Sequence, residues 1–278
     1  MTAAERVVRS AAQVLRDCPL PPPEKRSLLA HALGVARERL IAHPEAAVDG
    51  PAFERFVRLA GERQAGMPMA YLLGWQEFYG LRLRVTPAVL IPRPETELLV
   101  ECTLESIDPR REARVLDLGT GSGCIALALA RERPHWRIVA TDRSPAALQV
   151  ARDNARRLGA PLALLAADWY APILGQFDLI VSNPPYIARH DQHLALLRQE
   201  PRGALTDEGD GLGDLRRVVA GAPGRLAAGG RLLFEHGYDQ GAAARELMRE
   251  HGFDAVRTHR DLEGRERVCE GVCPGRWS

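Results

Sequence analysis

The sequence predicts an α/β fold: a Rossmann-like seven-stranded sheet, preceded by a small all-α domain and a β-hairpin linker. Three observations carry this reading. From about Pro94 onward, apolar strand-like runs alternate with stretches of helical period, the pattern of a parallel sheet flanked by helices. The last two strand-like runs have no helical stretch between them and form an antiparallel edge hairpin. Residues 1–73 show helical spacing only.

Taken in order, the N-terminal region opens with Thr2 and, three residues on, Glu5, the spacing of a capping box. Val7, Val8, Ala11, Ala12, Val14 and Leu15 follow at helical spacing. The prolines between Pro19 and Pro23 break the chain. A second helix runs through Leu28, Leu29, Ala32 and Leu33, with Gly34 as its stop. Pro51 opens a third, carrying Phe53, Phe56, Val57 and Leu59. Alternation at Leu81-Arg82-Leu83-Arg84-Val85 then marks one arm of a hairpin, with Trp75 to Tyr79 as the other and Gly80 at the turn. This divides the chain into a helical domain at 1–73, a linker at 74–93 and a catalytic domain at 94–278. Strands are expected at Arg114-Leu118, Arg137-Thr141, Leu162-Ala166, Phe177-Ser182, Arg231-Glu235, Phe253-Arg260 and Arg267-Val272. Helices are expected at Ile125-Arg131, Pro145-Leu158, Asp214-Leu226 and Gln240-Glu250.

The chain has 278 residues, 46% of them hydrophobic, enough for a large core and for two domains. Lys+Arg number 37 against 36 Asp+Glu, a net charge of +1. That balance argues against direct nucleic-acid binding, which needs a phosphate-neutralising excess. Lys25 is the single lysine, which reflects an Arg- and Ala-rich composition. Five cysteines, no apolar leader and no membrane-length apolar run lead to the expectation of a cytoplasmic protein without a membrane partner. Cys269 and Cys273 are a lone pair with no second pair to complete a metal site, so no metal is expected.

Two motifs carry chemistry. The first is the turn Asp117-Leu118-Gly119-Thr120-Gly121-Ser122-Gly123. Gly119, Gly121 and Gly123 let the backbone approach a ligand closely, and Thr120 and Ser122 lie in the same turn. The next strand ends in Asp142, an acid placed to accept from both ribose hydroxyls; the alternative is a helix N-cap, a role that better suits Ser144 ahead of Pro145. Gly121-x-Gly123-x-x-Ala126 also matches a dinucleotide fingerprint by letter, but that fingerprint belongs directly after the strand, and here the strand ends before Gly119. Asp117 adds a negative charge near the turn, which suits a cationic sulfonium better than a pyrophosphate. The third strand leads into Asp168, which can accept from an exocyclic adenine amine, and Trp169, which can pack beside the ring or simply fill the core.

The second motif is Asn183-Pro184-Pro185-Tyr186, at the end of the fourth strand. A residue before proline is held extended, so Asn183 is presented rather than wound into a helix. Consecutive prolines donate no N–H and leave nearby carbonyls free. The Asn183 side-chain oxygen and the Pro184 carbonyl can accept both hydrogens of an –NH2 group, while Tyr186 offers a face for a flat amide or base. The turn and this motif together indicate methyl transfer from S-adenosylmethionine to a planar nitrogen. Seven strands with an antiparallel edge fit the sheet of class I S-adenosylmethionine-dependent methyltransferases.

Tyr71-x-x-Gly74-x-x-x-Phe78-Tyr79-Gly80, Val89-Leu90-Ile91-Pro92-Arg93-Pro94-Glu95-Thr96-Glu97, the glycine turn and Asn183-Pro184-Pro185-Tyr186-Ile187 resemble the peptide chain release factor glutamine methyltransferases. The similarity includes Glu200-Pro201-x-x-Ala204-Leu205, Asp210-Gly211-Leu212 and Asp261-Leu262-x-Gly264-Arg265. The resemblance implies methylation of the side-chain amide nitrogen (N5) of the glutamine in the Gly-Gly-Gln motif of class I release factors. Asn183, Pro184 and Tyr186 would then be catalytic. Gly119, Thr120, Gly121, Ser122, Gly123, Asp142, Asp168, Trp169 and Asn183 would hold the cofactor, and Asn183, Pro184, Pro185 and Tyr186 the substrate. The alternative is a nucleic-acid methyltransferase acting on adenine N6 or guanine N2. Two positions depart from the family pattern: Leu215 stands where an aromatic is usual, and His236 where an aliphatic is expected. The Arg93-Glu97 segment reads equally as a helix entry and as part of the mouth of the site.

Overall fold

The computed structural model describes residues Arg9 to Pro274, so the capping box expected at Thr2 and Glu5, with Val7 and Val8, lies outside the described residues. The chain divides at Gly74/Trp75 into two compact units.

The first unit is mainly helical. It holds β1 (Arg9–Ser10), α1 (Ala11–Arg16), α2 (Pro22–Leu33), α3 (Arg37–Ala42), β2 (Ala47–Val48), α4 (Gly50–Gln64) and α5 (Met69–Leu73). The first described helix starts at Ala11 because Ser10 caps it: its hydroxyl accepts from the Gln13 N–H, and the Gln13 side chain accepts from the Ser10 N–H. Asp49 caps α4 by accepting from the Ala52 N–H at 2.7 Å, with Pro51 in the first turn. Helix α2 stops at Gly34 in the left-handed conformation, as its sequence predicts. Two short paired strands, β1 and β2, and the helices α3 and α5 were not in the sequence expectation; each is six residues or fewer, too short to show a period. Leu28, Leu29, Phe56, Leu59 and Leu72 lie in this unit's own core.

The second unit opens with the hairpin β3 (Trp75–Phe78) and β4 (Leu81–Arg84), whose turn residues Tyr79 and Gly80 both have positive φ, the geometry of a type I′ turn. The hairpin, expected as a linker, buries Phe78, Leu81 and Leu83 in the core of the sheet unit. A 3-10 turn at Pro94–Thr96 leads into α6 (Glu97–Glu105). Then come β5 (Arg114–Leu118), α7 (Cys124–Glu132), β6 (Arg137–Asp142), α8 (Pro145–Leu158), β7 (Ala163–Ala166), β8 (Phe177–Ser182), α9 (Gly213–Gly221), β9 (Leu226–Glu235), α10 (Gly241–Glu250), β10 (Asp254–Arg260) and β11 (Glu266–Val272).

These form one seven-stranded sheet in the order β10-β11-β9-β8-β5-β6-β7. Strands β5 to β9 are parallel, and β11 pairs antiparallel with both β9 and β10. Strand residues alternate between two cores, one on each face. Val115, Leu179, Val181 and Leu233 pack with α6 and α7, while Leu116, Ile180, Leu232 and Phe234 pack with α9 and α10. Strand order reverses beside β5, which lies between β6 and β8, so the crevice opens at the carboxyl ends of these strands. The glycine turn follows β5, Asp142 ends β6 and Asn183 follows β8.

Candidate functional site

The carboxyl ends of β5 to β8 surround a cavity of about 230 Å³. Gly119, Gly121, Asp142, Ser144, Asp168, Trp169, Asn183 and Pro185 line it, together with Ala88, Val89, Leu90 and Ala147. Its floor is the glycine turn. Asp142 Oδ2 accepts from the Gly121 N–H at 2.9 Å, and Oδ1 accepts from the Ser144 N–H at 2.8 Å. Ser144, not Asp142, caps α8, its hydroxyl accepting from the Ala147 N–H at 3.2 Å. The Thr120 and Gly123 amides are also satisfied within the turn region, by the Thr141 and Thr120 carbonyls at 2.7 and 2.8 Å.

Thr120, Ser122 and Gly123 do not line the cavity. Thr120 and Ser122 are buried. The Thr120 hydroxyl donates to Asp117 Oδ2 at 2.6 Å, and the Ser122 carbonyl accepts from Asn154 Nδ2 at 2.9 Å. Gly123 starts α7 at φ 84°, and a Cβ there would meet Leu127 Cδ1 at 3.2 Å and the Ala151 Cβ at 3.4 Å. Only glycine combines that backbone with that packing. These three residues shape the turn from beneath.

Trp169 sits at φ 54°, a conformation uncommon for a non-glycine residue. Two contacts hold it: its indole N–H donates to Asp214 Oδ1 at 3.2 Å, and its ring lies over Gly119, where a Cβ would come within 3.8 Å. The indole therefore stands as a wall of the cavity. Asp168 pairs with Arg217 at 2.6 Å and keeps a largely exposed carboxylate at the rim. Tyr170 turns away and donates to the Val218 carbonyl at 2.6 Å.

A second cavity of about 190 Å³ adjoins the first. Pro184, Tyr186, Ile187, Arg93, Leu197 and Leu205 belong to it alone, whereas Leu90, Asn183 and Ala204 line both. Asn183 thus stands at the partition. Its Nδ2 donates to the Thr96 hydroxyl at 3.1 Å. Among the described residues, none donates to Asn183 Oδ1 or to the Pro184 carbonyl. The Tyr186 hydroxyl donates to Glu235 Oε1 at 3.0 Å, and the Tyr186 carbonyl accepts from Gln240 Nε2 at 3.0 Å. Gly211 packs against that same carbonyl, where a Cβ would come within 2.4 Å, so a side chain there would displace the motif.

The Arg93-Glu97 segment lies at the entry to α6 and beside the second cavity. Pro94 opens the turn into α6, and Arg93 lines the second cavity. Arg93 pairs with the buried Glu200, which also accepts from the Ile91 N–H at 3.0 Å, so this segment is tied to Glu200-Pro201. Sequence reasoning did not single out Thr96, Glu235, Gln240 or Leu90. Thr96 and Glu235 each stand in or beside a motif, but their roles come from contacts across 87 and 49 residues of chain.

The departures from pattern are packing positions. Leu215 is fully buried on α9. His236 is fully buried, donates from Nδ1 to the Gly237 carbonyl at 2.8 Å, and meets Phe234 edge-on at 6.4 Å. Burial lowers its pKa, keeping it neutral. Neither residue lines the first or the second cavity.

The first cavity fits S-adenosylmethionine better than a dinucleotide. The turn amide of Gly121, which a pyrophosphate would need, is already committed to Asp142. The acids gathered here suit a cation. Asp117 lies fully buried below the turn with Oδ1 lacking a partner among the described residues. Burial raises its carboxyl to about 7, against the hydrogen bond from Thr120. A cationic ligand nearby would favour its ionised form.

Comparison with known proteins agrees with this geometry. The Methyltransferase small domain model matches residues 94–210, and the PrmC N-terminal domain model matches residues 6–74. The release factor glutamine methyltransferase of Burkholderia pseudomallei is 52% identical over 96% of this chain and 97% of its own length. That of Bordetella pertussis is 55% identical over 93% and 97%. A solved methyltransferase from Pyrococcus furiosus, 18% identical, superposes with a TM-score of 0.57 over 77% of this chain and 99% of its own, a likeness of fold. The class I methyltransferase fold read from the strand pattern and the resemblance read from the motifs both hold. The chain belongs to the release factor glutamine methyltransferase family.

Proposed function

We propose that this protein transfers a methyl group from S-adenosylmethionine to the side-chain amide nitrogen of the glutamine in the Gly-Gly-Gln motif of class I release factors. The observation that carries the reading is the partition between the two cavities. Asn183 lines both, with its Oδ1 free of any donor among the described residues. The second cavity is walled mainly by Leu90, Pro184, Ile187, Leu197, Ala204 and Leu205, which suits the methylene stem of a glutamine.

When bound, S-adenosylmethionine supplies a methyl group on a sulfonium, an activated electrophile. Gly119, Gly121, Asp142, Asp168 and Trp169 would hold it, Asp142 through the ribose hydroxyls, Asp168 and Trp169 at the adenine. An amide nitrogen is a weak nucleophile, so this chain's contribution is placement and charge stabilisation. Asn183 Oδ1 and the Pro184 carbonyl accept the two N–H bonds and fix the nitrogen at the partition. Their partial negative charge stabilises the positive charge that builds on nitrogen. Tyr186, held by Glu235 and Gln240, packs on the amide plane, and Pro185 closes the cofactor side. The helical unit at residues 1–74 supplies a second contact surface for the release factor, because one glutamine on a loop offers little area to hold. No helix among the described residues is long and apolar enough to cross a membrane, and we place the activity in the cytoplasm, where release factors act.

Methyl-labelled S-adenosylmethionine with purified release factor, with the same factor carrying Ala for the glutamine, and with total RNA tests this. Label is expected in the intact factor alone. Label in RNA, or in the Ala-substituted factor, overturns the reading.

A further inference from the structure

The second cavity has one charged side chain in its lining, and the chemistry so far leaves it unused. Arg93 stands there among mainly apolar residues, and no other residue lining that cavity is charged. Pro94 follows Arg93 and holds it extended, at φ −100° and ψ 143°, so the side chain leaves from a fixed backbone. The buried Glu200, 7% exposed, accepts from Arg93 Nη2. The same carboxylate accepts from the Ile91 N–H at 3.0 Å, two residues earlier. A guanidinium carries five N–H donors in one rigid plane, and this one commits a single nitrogen. Among the described residues, nothing accepts from Nε or Nη1. Arg93 therefore brings aimed, unspent donors to the wall of a cavity that Asn183 also lines.

Two considerations select what those donors meet. A bare cation here would oppose methyl transfer, since positive charge builds on the nitrogen held at Asn183. Glu200 cancels that charge, and the resulting neutral pair has little left to offer a second carboxylate but still donates to neutral oxygens. The cavity takes the glutamine side chain, so the substrate that reaches its wall is the chain next to the glutamine. In a Gly-Gly-Gln loop that stretch has no side chains, and its acceptors are main-chain carbonyl oxygens. Glycine also lets the backbone come close to the donor plane.

We propose that Arg93 is a substrate-binding residue that donates to main-chain carbonyl oxygens of the Gly-Gly pair preceding the target glutamine, with Glu200 as the positioning residue that aims the guanidinium and cancels its charge. The inference rests on the reading given under Proposed function and adds to it a reason for the two glycines.

The test uses the full chain with a short Gly-Gly-Gln peptide. Two analogues of the peptide replace the Gly–Gly or the Gly–Gln peptide bond by an E-alkene, which has no carbonyl. KM and kcat are measured, with S-adenosylmethionine affinity by calorimetry and a melting curve. Methylation of the natural peptide by the unaltered protein comes first; failure there is a failure of the functional reading and not of this one. Arg93→Met keeps the stem and removes the donors, and KM for the peptide is expected to rise roughly 10- to 100-fold, the scale of hydrogen bonds to a charged group. At saturating peptide kcat stays within about threefold, as does cofactor affinity, because the contact is made equally before and during transfer. At least one alkene peptide should lose as much with the parent, yet lose no more than about twofold with Arg93→Met, since both changes remove one contact. Glu200→Gln still accepts from the Ile91 N–H but leaves the cation uncancelled, so kcat is expected to fall roughly 3- to 10-fold. Adding Arg93→Met to it removes the cation and restores kcat, which a merely structural role of Glu200 would not do. Three results overturn the proposal: Arg93→Met within about twofold of the parent in KM, losses from Arg93→Met and from both alkene peptides that multiply in full, or a double variant as low in kcat as Glu200→Gln. Should Arg93→Met fail to fold, both alkene peptides within about twofold of the natural peptide on the parent overturn it alone.

Discussion

Replacing Asp142 with alanine separates the two tasks this carboxylate performs. In the structure it accepts from the Gly121 N–H at 2.9 Å and from the Ser144 N–H at 2.8 Å. The first bond ties the glycine turn to the end of β6, and the second orients the entry to α8. Neither uses all the accepting capacity of a carboxylate, which has about four lone-pair sites. Ribose hydroxyls can therefore still be received. A hydrogen bond to a charged group contributes about 1.5–3 kcal/mol, so losing the ribose contact should weaken S-adenosylmethionine binding by roughly 10- to 150-fold. Loss of the Gly121 tether adds disorder to the cavity floor and places the effect toward the upper end. Asp142→Asn keeps one accepting oxygen, and its penalty should lie between those of the parent and Asp142→Ala. Isothermal calorimetry with the parent and both variants measures this, and a melting curve of each confirms the fold. Unchanged affinity in Asp142→Ala would refute the assigned role. Tighter binding of NAD(P) than of S-adenosylmethionine by the parent would refute the cofactor argument built on the committed Gly121 amide.

Three further outcomes are expected. Asn183→Ala should lower kcat on the order of 10²–10³ with a smaller change in cofactor affinity, as removal of a preorganised polar contact does; single-turnover methylation checks it, and turnover within twofold of the parent makes Asn183 structural. A chain starting at Trp75 retains the hairpin and both cores of the sheet unit. It should bind S-adenosylmethionine and methylate a short Gly-Gly-Gln peptide as the full chain does, yet methylate intact release factor poorly; equal kcat/KM on the intact factor rules out recognition by the helical unit. Glu270 is 1% exposed, and burial would raise its carboxyl, but hydrogen bonds from His259, Arg257 and Arg231 outweigh this and bring it from 4.5 down to about 2. Its contribution, about 3 kcal/mol at most, is therefore complete above pH 4.5 and lost as pH falls toward 2; denaturant unfolding of the parent should weaken across that window, and Glu270→Gln should flatten that part of the profile.

What the sequence determined by itself is whatever local chemistry decides. The seven sheet strands and the helices between them were legible because buried strands and amphipathic helices differ in period, with Ser144-Pro145 marking the start of α8; the helix expected to reach Leu226 ends at Gly221, and Leu226 already belongs to β9, which begins before the expected Arg231. The chemistry of Asn183-Pro184-Pro185-Tyr186 was legible because proline constrains its neighbour and itself wherever it stands. Short elements such as α3 and α5 were not, since five or six residues cannot display a period and take their shape from the core they join. The hairpin was visible as a hairpin, but its place in the sheet unit depends on where Phe78, Leu81 and Leu83 find apolar partners. The same division runs through the site. Gly119 and Gly121 reach the cavity while Thr120 and Ser122 turn beneath it, though all four stand in one motif. Thr96, Glu235, Gln240 and Glu200 carry no local mark of their task, because a hydrogen bond across many tens of residues exists only once the sheet has brought its ends together. Backbone preference acts between neighbours and can be read from them. That the Asn183 amide finds its partner in the Thr96 hydroxyl, 87 residues away in the chain, only the tertiary structure decides.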